Sequence, residues 1–174
     1  NFITHGNVGH VCVVMAMTDP SRGKNGISAF VVDKTMPGFY GSKKENKLGM
    51  RCSDTASLTF DNVVVPSSHM IGNEGEGFRQ ALQILDGGRI SIAALSVGLA
   101  QGAFEAATAY AKERMQFGKR LADMQAIQFK LARMSMEIDA ARMLTYKAAW
   151  LRDQKQPFSR EASQAKLYAS ETAV

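Results

Sequence analysis

The residues with the most chemistry per position lie in one stretch, Glu113-Arg114-Met115-Gln116-Phe117-Gly118-Lys119-Arg120. It falls where one long helical pattern stops and a second begins a few residues later. Arg114 offers a rigid fork of donors that suits phosphate oxygens, and Phe117 offers a ring that suits a flat heterocycle. Together they could hold a ligand that is both anionic and planar. A plainer reading also fits: Gly118 stops a helix, and solvated Lys and Arg sit where a helix C-terminus favours positive charge. A second pair, Asp86 and Arg89, lies three apart on one helix face and can point into a single cleft. As a surface ion pair it would contribute only about a few tenths of a kcal/mol. Gly87 and Gly88 stand between them in mid-helix, each at a cost of roughly 1 kcal/mol relative to Ala. Something needs that space, and a ligand approaching the backbone is one candidate.

Other residue types offer less. His5, His10 and His69 have no metal-ligand spacing and no acid partner in sequence, so they read as surface or loop histidines, and no metal site is expected. Cys12 and Cys52 lie forty apart in apolar or turn-like surroundings, which suggests neither a disulfide framework nor a metal site and points to a reducing compartment. The net charge is +5, but Lys and Arg are scattered among acids. Clusters such as Lys43-Lys44 and Lys119-Arg120 are too short for a nucleic-acid footprint, leaving at most a mild affinity for a small anion. No uninterrupted apolar run approaches the roughly 18 residues of a membrane span, so none is expected. Composition, at 45% hydrophobic and 21% charged, is that of an ordinary soluble globular protein.

The elements that must position these residues fall into two kinds. Residues 8–17 (VGHVCVVMAM) read as a buried strand ended by Thr18-Asp19-Pro20. Residues 21–26 form a turn, 27–32 (ISAFVV) a second strand, and Pro37-Gly38 another turn. Residues 39–47 are a polar, Lys-rich edge segment, and 57–65 (SLTFDNVVV) a further strand stopped by Pro66. Short connections make this region antiparallel β. Asn73-Glu74-Gly75-Glu76-Gly77 then marks a boundary, with acids where a helix start favours them. Phe78, Leu82, Leu85, Arg89, Ile92, Leu95 and Leu99 step by four or three along one helix face. That pattern persists to about Arg114, some 37 residues or roughly 55 Å. Ile127, Leu131, Met134, Ile138, Ala141, Leu144, Ala148 and Leu151 define a second helix, and a third starts after Pro157-Phe158-Ser159. The expected class is α+β: a partial antiparallel β domain over 1–72, then an up-down helical bundle, part of a four-helix bundle, over 73–174. With no initiator Met and a helical pattern still running at Val174, the chain reads as a piece of a longer protein.

Several motifs occur together in this order. They are Phe2-Ile3-Thr4; Lys47-Leu48-Gly49-Met50-Arg51-Cys52-Ser53-Asp54-Thr55 before a strand ending Val64-Val65-Pro66; Gly75-Glu76-Gly77-Phe78; Leu85-Asp86-Gly87-Gly88-Arg89; Arg114-Met115-Gln116-Phe117-Gly118-Lys119; and Gln125-Ala126-Ile127-Gln128-Phe129-Lys130-Leu131-Ala132. In register they resemble the acyl-CoA dehydrogenase family along all 174 residues, with the short-chain/butyryl-type or short/branched-chain branch looking nearest. The resemblance implies a middle β domain followed by a four-helix bundle, usually in tetramers. It implies an FAD-dependent dehydrogenation of a short or branched acyl-CoA to the trans-2-enoyl-CoA. A glutamate takes the α-proton, the β-hydrogen passes as hydride to the flavin, and electrons go on to electron-transferring flavoprotein. The compartment implied is cytoplasmic for a bacterium and the mitochondrial matrix for a eukaryote.

Residue by residue, the resemblance places the Phe2 ring beside the flavin and the Thr4 hydroxyl near its N5. It gives Asp86 and Arg89 to the CoA portion of the substrate. Arg114 would cross a dimer interface to the FAD pyrophosphate of a neighbouring subunit, with Phe117 packing beside that cofactor and Gln125 hydrogen-bonding it. One departure stands out. Part of the family carries its catalytic Glu in a Leu-Asp-X-Glu-Arg motif, and this sequence has Gly88 there. Other members carry it further along, so the catalytic base is expected outside these residues, and Glu113, Glu137, Glu161 and Glu171 read as solvated helix acids. Two alternatives stay open: an acyl-CoA oxidase-like flavoenzyme, and a non-catalytic relative acting as a binding or assembly protein.

Overall fold

The computed structural model describes residues 1–174, which divide into two compact units, Asn1–Ala81 and Leu82–Val174. The first unit is antiparallel β throughout. Strands β2 (Val11–Met17) and β3 (Ile27–Asp33) pair in register from Val11 opposite Asp33 to Met17 opposite Ile27. Between them a 3₁₀ turn spans Pro20–Gly26; Asp19 caps it by accepting from the Ser21 N–H at 3.0 Å and from its hydroxyl at 2.6 Å. The other side of β3 is taken by β7 (Met70–Ile71), which makes β3 the central strand and buries Ser28, Ala29 and Val32.

The reading of 8–17 as a buried strand needs correction. β2 is an edge strand with Val11, Val13, Met15 and Met17 on an exposed face and Cys12, Val14 and Ala16 half-buried. Its apolar run cannot reveal this, because both faces are apolar and only one has a partner. Two further ladders complete the unit. β1 (Ile3–Thr4) pairs with β5 (Thr55–Ala56), and β4 (Phe39–Gly41) pairs with β6 (Leu58–Phe60). The rings of Phe39 and Phe60 stack across the second of these at 4.7 Å.

Helix α1 (Gly77–Glu113) starts in the first unit and supplies the first helix of the second. Its start is pinned to the sheet, since the Gly75 N–H donates to the Ser28 hydroxyl at 2.9 Å. The second unit packs α1 with α2 (Gln125–Asp153) and α3 (Ser159–Thr172). Its core joins Ile90, Ala93 and Val97 of α1 to Ala141 and Ala148 of α2 and Ala162, Ala165 and Ala169 of α3. Five fully buried alanines on the facing stripes of α2 and α3 let those two backbones approach closely, since side-chain size at the contact sets interaxial distance.

The α1 stripe named from periodicity is not the stripe buried inside this chain. Leu82, Leu85, Ile92, Leu95 and Leu99 are exposed, and Ile90, Ala93, Val97 and Ala100 are buried instead. Both stripes recur at helical spacing, so periodicity finds each face without saying what covers it. α1 also meets, by length and composition, the requirement for crossing a membrane: an 18-residue window averages a hydropathy of 1.4 with 28% of it buried. A search for uninterrupted apolar runs passes over this window, because Ala, Gly and Ser dilute the apolar residues without adding charge. One such helix is weak support for a membrane, since the core helix of a bundle passes the same test.

Candidate functional site

The connection from α1 to α2 is a two-residue hairpin. β8 (Met115–Gln116) pairs with β9 (Lys119–Arg120), and Phe117 and Gly118 form the turn with φ of 52° and 75°. Positive φ at both central residues is the type I′ geometry, whose twist matches the flanking strands. The Leu121 N–H closes it onto the Arg114 carbonyl at 2.9 Å. Gly118 therefore serves the hairpin, and α1 ends earlier, at Glu113; the expectation that Gly118 stops the helix is corrected accordingly.

The turn is built at a cost. Its first central position usually holds Asn, Asp or Gly, and a bulky residue with positive φ is an outlier. Phe117 occupies it with 92% of its surface exposed. The Arg114 side chain is exposed too, and it makes neither an ion pair nor a hydrogen bond. Its neighbour Arg120, by contrast, is paired with Asp123 at 3.1 Å, which holds that carboxyl below its ordinary range. Gln125 opens α2 exposed, and the N-cap, Met124, supplies no side-chain acceptor. The Met124 carbonyl accepts from the Ile127 and Gln128 N–H groups, which leaves those of Gln125 and Ala126 to water or an anion. One end of the helical unit consequently offers a free guanidinium, an uncovered ring and a helix start without a side-chain cap. That donor set fits the phosphate and planar parts of a dinucleotide.

Phe117→Asn gives a test of this arrangement. Asn tolerates the left-handed conformation, so the variant is expected to melt no lower than the parent, with about 0–1 kcal/mol in its favour. A drop in thermal stability would show that the exposed ring is packed in the protein.

In the first unit, Phe2 has φ of 55° and is 72% exposed, and Thr4 lies on β1 opposite Thr55. His5 follows with φ of 60°, so two left-handed residues bracket the two-residue strand and hold it in place. Asp54 secures the loop beyond: its carboxylate accepts from the backbone N–H groups of Asn7 at 2.7 Å and Val8 at 3.3 Å. The Asn7 bond in particular holds the Asp54 carboxyl below its ordinary range. Ile3, Thr4 and His5 border a cleft of about 210 Å³ closed by Val11, Phe39 and Leu58.

The Asp86 and Arg89 side chains do meet. Arg89 Nη1 bonds Asp86 Oδ1, and both residues are half-buried. Periodicity does not reveal the other members of this cluster. The Ser159 hydroxyl, from the first turn of α3, donates to the same Asp86 oxygen at 3.0 Å. The Arg152 guanidinium lies alongside Gly87, 3.7 Å from where a Cβ there would stand. The only sequence signal for Ser159 is the Pro157-Phe158-Ser159 helix start. Nothing lies within 4 Å of a Cβ built on Gly88. Packing inside this chain therefore demands neither glycine, and the backbone at Gly88 stays accessible.

The acids read as solvated are only partly so. Glu137 is bonded by Arg133 at 2.7 Å, and Glu161, largely covered, lies 4.0 Å from Lys147.

Two family models match. The acyl-CoA dehydrogenase C-terminal domain covers residues 75–174, and the acyl-CoA dehydrogenase middle domain covers 1–63. The chain belongs to the acyl-CoA dehydrogenase family. It is 50% identical over 174 residues to the probable acyl-CoA dehydrogenase YngJ of Bacillus subtilis, covering 99% of this chain and 46% of that one. Butyryl-CoA dehydrogenase from Megasphaera elsdenii superposes with a TM-score of 0.94 at 47% identity, over 98% of this chain and 45% of the other. A chain in the structure of the electron transferring flavoprotein of Acidaminococcus fermentans gives 0.93 at 48% identity, with 98% and 45% covered. The chain spans about half the length of the curated relatives it matches. Family membership shows an α+β architecture of middle and C-terminal acyl-CoA dehydrogenase domains.

Proposed function

We propose that the full-length protein is an FAD-dependent acyl-CoA dehydrogenase that converts a short or branched acyl-CoA to the trans-2-enoyl-CoA and passes electrons to an electron-transferring flavoprotein. On this reading, residues 1–72 close the middle domain and 73–174 begin the bundle. The observation that carries it is the hairpin: a free Arg114 beside an uncovered Phe117 held at positive φ. A fold does not keep a strained, exposed aromatic at a turn for its own stability.

FAD, when bound, supplies the two-electron acceptor. Arg114 neutralises phosphate charge with its fork, Gln125 adds a hydrogen bond at the positive start of α2, and Phe117 shields the cofactor's flank. Phe2 and Thr4 orient the flavin ring, an aromatic edge and one hydroxyl donor that tune without reacting. Asp86 and Arg89 anchor the polar CoA portion of the substrate, so that the thioester is held in one place. The α-proton goes to a base outside these residues, because Gly88 stands where a family Glu could be.

The helix spacing supports sharing between subunits. From Arg89 to Glu113 α1 runs 24 residues without interruption, about 36 Å of rise. The substrate pair and the Arg114 hairpin thus occupy well-separated points along one rod. The neighbouring copy in a homo-oligomer, a tetramer on the family pattern, would supply the site that Arg114 serves.

The test is anaerobic addition of butyryl-CoA or 2-methylbutyryl-CoA to the yellow full-length protein. Bleaching of the visible flavin band is expected. A full-length protein that takes up FAD and bleaches with no acyl-CoA, from short to long chain, would count against dehydrogenation.

A further inference from the structure

We propose that Ser159 is a positioning residue for the Asp86–Arg89 pair, fixing the carboxylate from a different helix so that the pair presents one geometry to the CoA portion of the substrate. This rests on the reading of Asp86 and Arg89 as substrate contacts.

The sequence separation matters first. Ser159 and Asp86 lie 73 residues apart, on α3 and α1, and the Ser159 hydroxyl donates to Asp86 Oδ1 at 3.0 Å. A Ser beside a helix start ordinarily serves its own backbone. Here the N-cap is Phe158, which packs against the bundle core and makes no capping bond, and the Ser159 hydroxyl reaches outward. With Phe158 anchored, the start of α3 has a fixed place, and so has the hydroxyl. Asp86 is thereby bonded at the first residue of α3.

The bonds are also asymmetric. Arg89 Nη1 and Ser159 Oγ both go to Oδ1, and Oδ2 has no partner in the chain. Alone, the Arg89 bond is an i,i+3 contact between two flexible side chains and leaves the carboxylate free to swing. A second donor from another helix removes that freedom and leaves Oδ2 as the available acceptor. A carboxylate oxygen presented this way accepts from an amide N–H or a hydroxyl, the donors that a pantetheine arm carries. The open backbone at Gly88 gives such an arm room beside it.

The experiment uses the FAD-loaded full-length oligomer and compares Ser159→Ala, Ser159→Thr and Asp86→Asn by steady-state kinetics with butyryl-CoA and by thermal melting. Ser159→Ala is expected to raise KM roughly three- to tenfold with kcat within about twofold, because the hydroxyl positions the carboxylate without touching the substrate and only part of a charge-assisted bond is lost from ground-state binding. Ser159→Thr, which keeps the hydroxyl, restores KM. Two results overturn the inference while leaving the substrate pair intact: Ser159→Ala with unchanged KM when Asp86→Asn raises it, or a KM effect that Thr does not rescue and that follows a fall in melting temperature. If Asp86→Asn also leaves KM unchanged, the substrate-pair reading itself falls, and the role of Ser159 with it.

Discussion

Arg114→Ala in the full-length protein is expected to purify with little flavin while its helices melt as before. The guanidinium has no partner within the chain, so its loss breaks no internal bond, and an exposed substitution of this kind stays within about 0.5 kcal/mol. A charge-assisted bond to phosphate is worth far more. At about 1.5–3 kcal/mol for one such bond, FAD affinity should fall roughly 10- to 100-fold. Arg114→Lys should recover part of this, because Lys restores the charge without the planar fork. The readouts are flavin-to-protein absorbance after desalting, oligomer size and a melting curve. Normal flavin content in Arg114→Ala would remove this residue from cofactor binding.

The largest loss of stability is expected at Gly26. It closes the β2–β3 connection, and its carbonyl accepts from the Thr18 N–H at 2.8 Å, the Asp19 N–H at 3.1 Å and the Thr18 hydroxyl at 3.0 Å. A Cβ on Gly26 would stand 1.8 Å from the Asp19 carbonyl oxygen, and that contact is backbone, so no side chain can swing aside. The turn must open, and the bonds that pin it open with it. Gly26→Ala should therefore cost roughly 3 kcal/mol or more, in the range of severe overpacking. Thermal melting with a probe of the β unit measures it. A loss below about 1 kcal/mol would show that the turn can relax and is not the fastener of the sheet.

The helices are legible in the sequence because their signal is local. The apolar pattern predicts α1 from about 78 to 114, and it spans Gly77–Glu113, since one stripe of apolar residues marks a period of 3.6 wherever it lies. The choice between its two stripes is not legible, because coverage depends on elements far away in sequence. Ile92 and Leu95 are exposed where Ala93 and Val97 are buried. The same reasoning explains β1, β5 and β7. Strands of two residues have no period, and Ile3–Thr4 is a strand only because Thr55–Ala56 comes back to pair with it.

The site residues divide along the same line. Arg114 and Phe117 are visible because a basic fork and a ring stand together at a helix break. Phe2, Thr4 and Gln125 carry no signal of their own and rest on family likeness. Ser159 is invisible as a site residue, because its meaning lies in a bond to Asp86 that only the packing of α3 against α1 creates. Gly118 reads as a turn residue in either case, but the turn differs. Its φ of 75° completes a hairpin, which no pattern of apolar residues could separate from a helix stop.

The most direct measurement is a crystal structure of the full-length oligomer with FAD bound. The expected result is a pyrophosphate oxygen within hydrogen-bond distance of the Arg114 guanidinium, with the flavin ring of that same FAD held by Phe2 and Thr4 of a different subunit. An FAD whose ring and pyrophosphate are both held by one chain, with Arg114 turned to solvent, would contradict it.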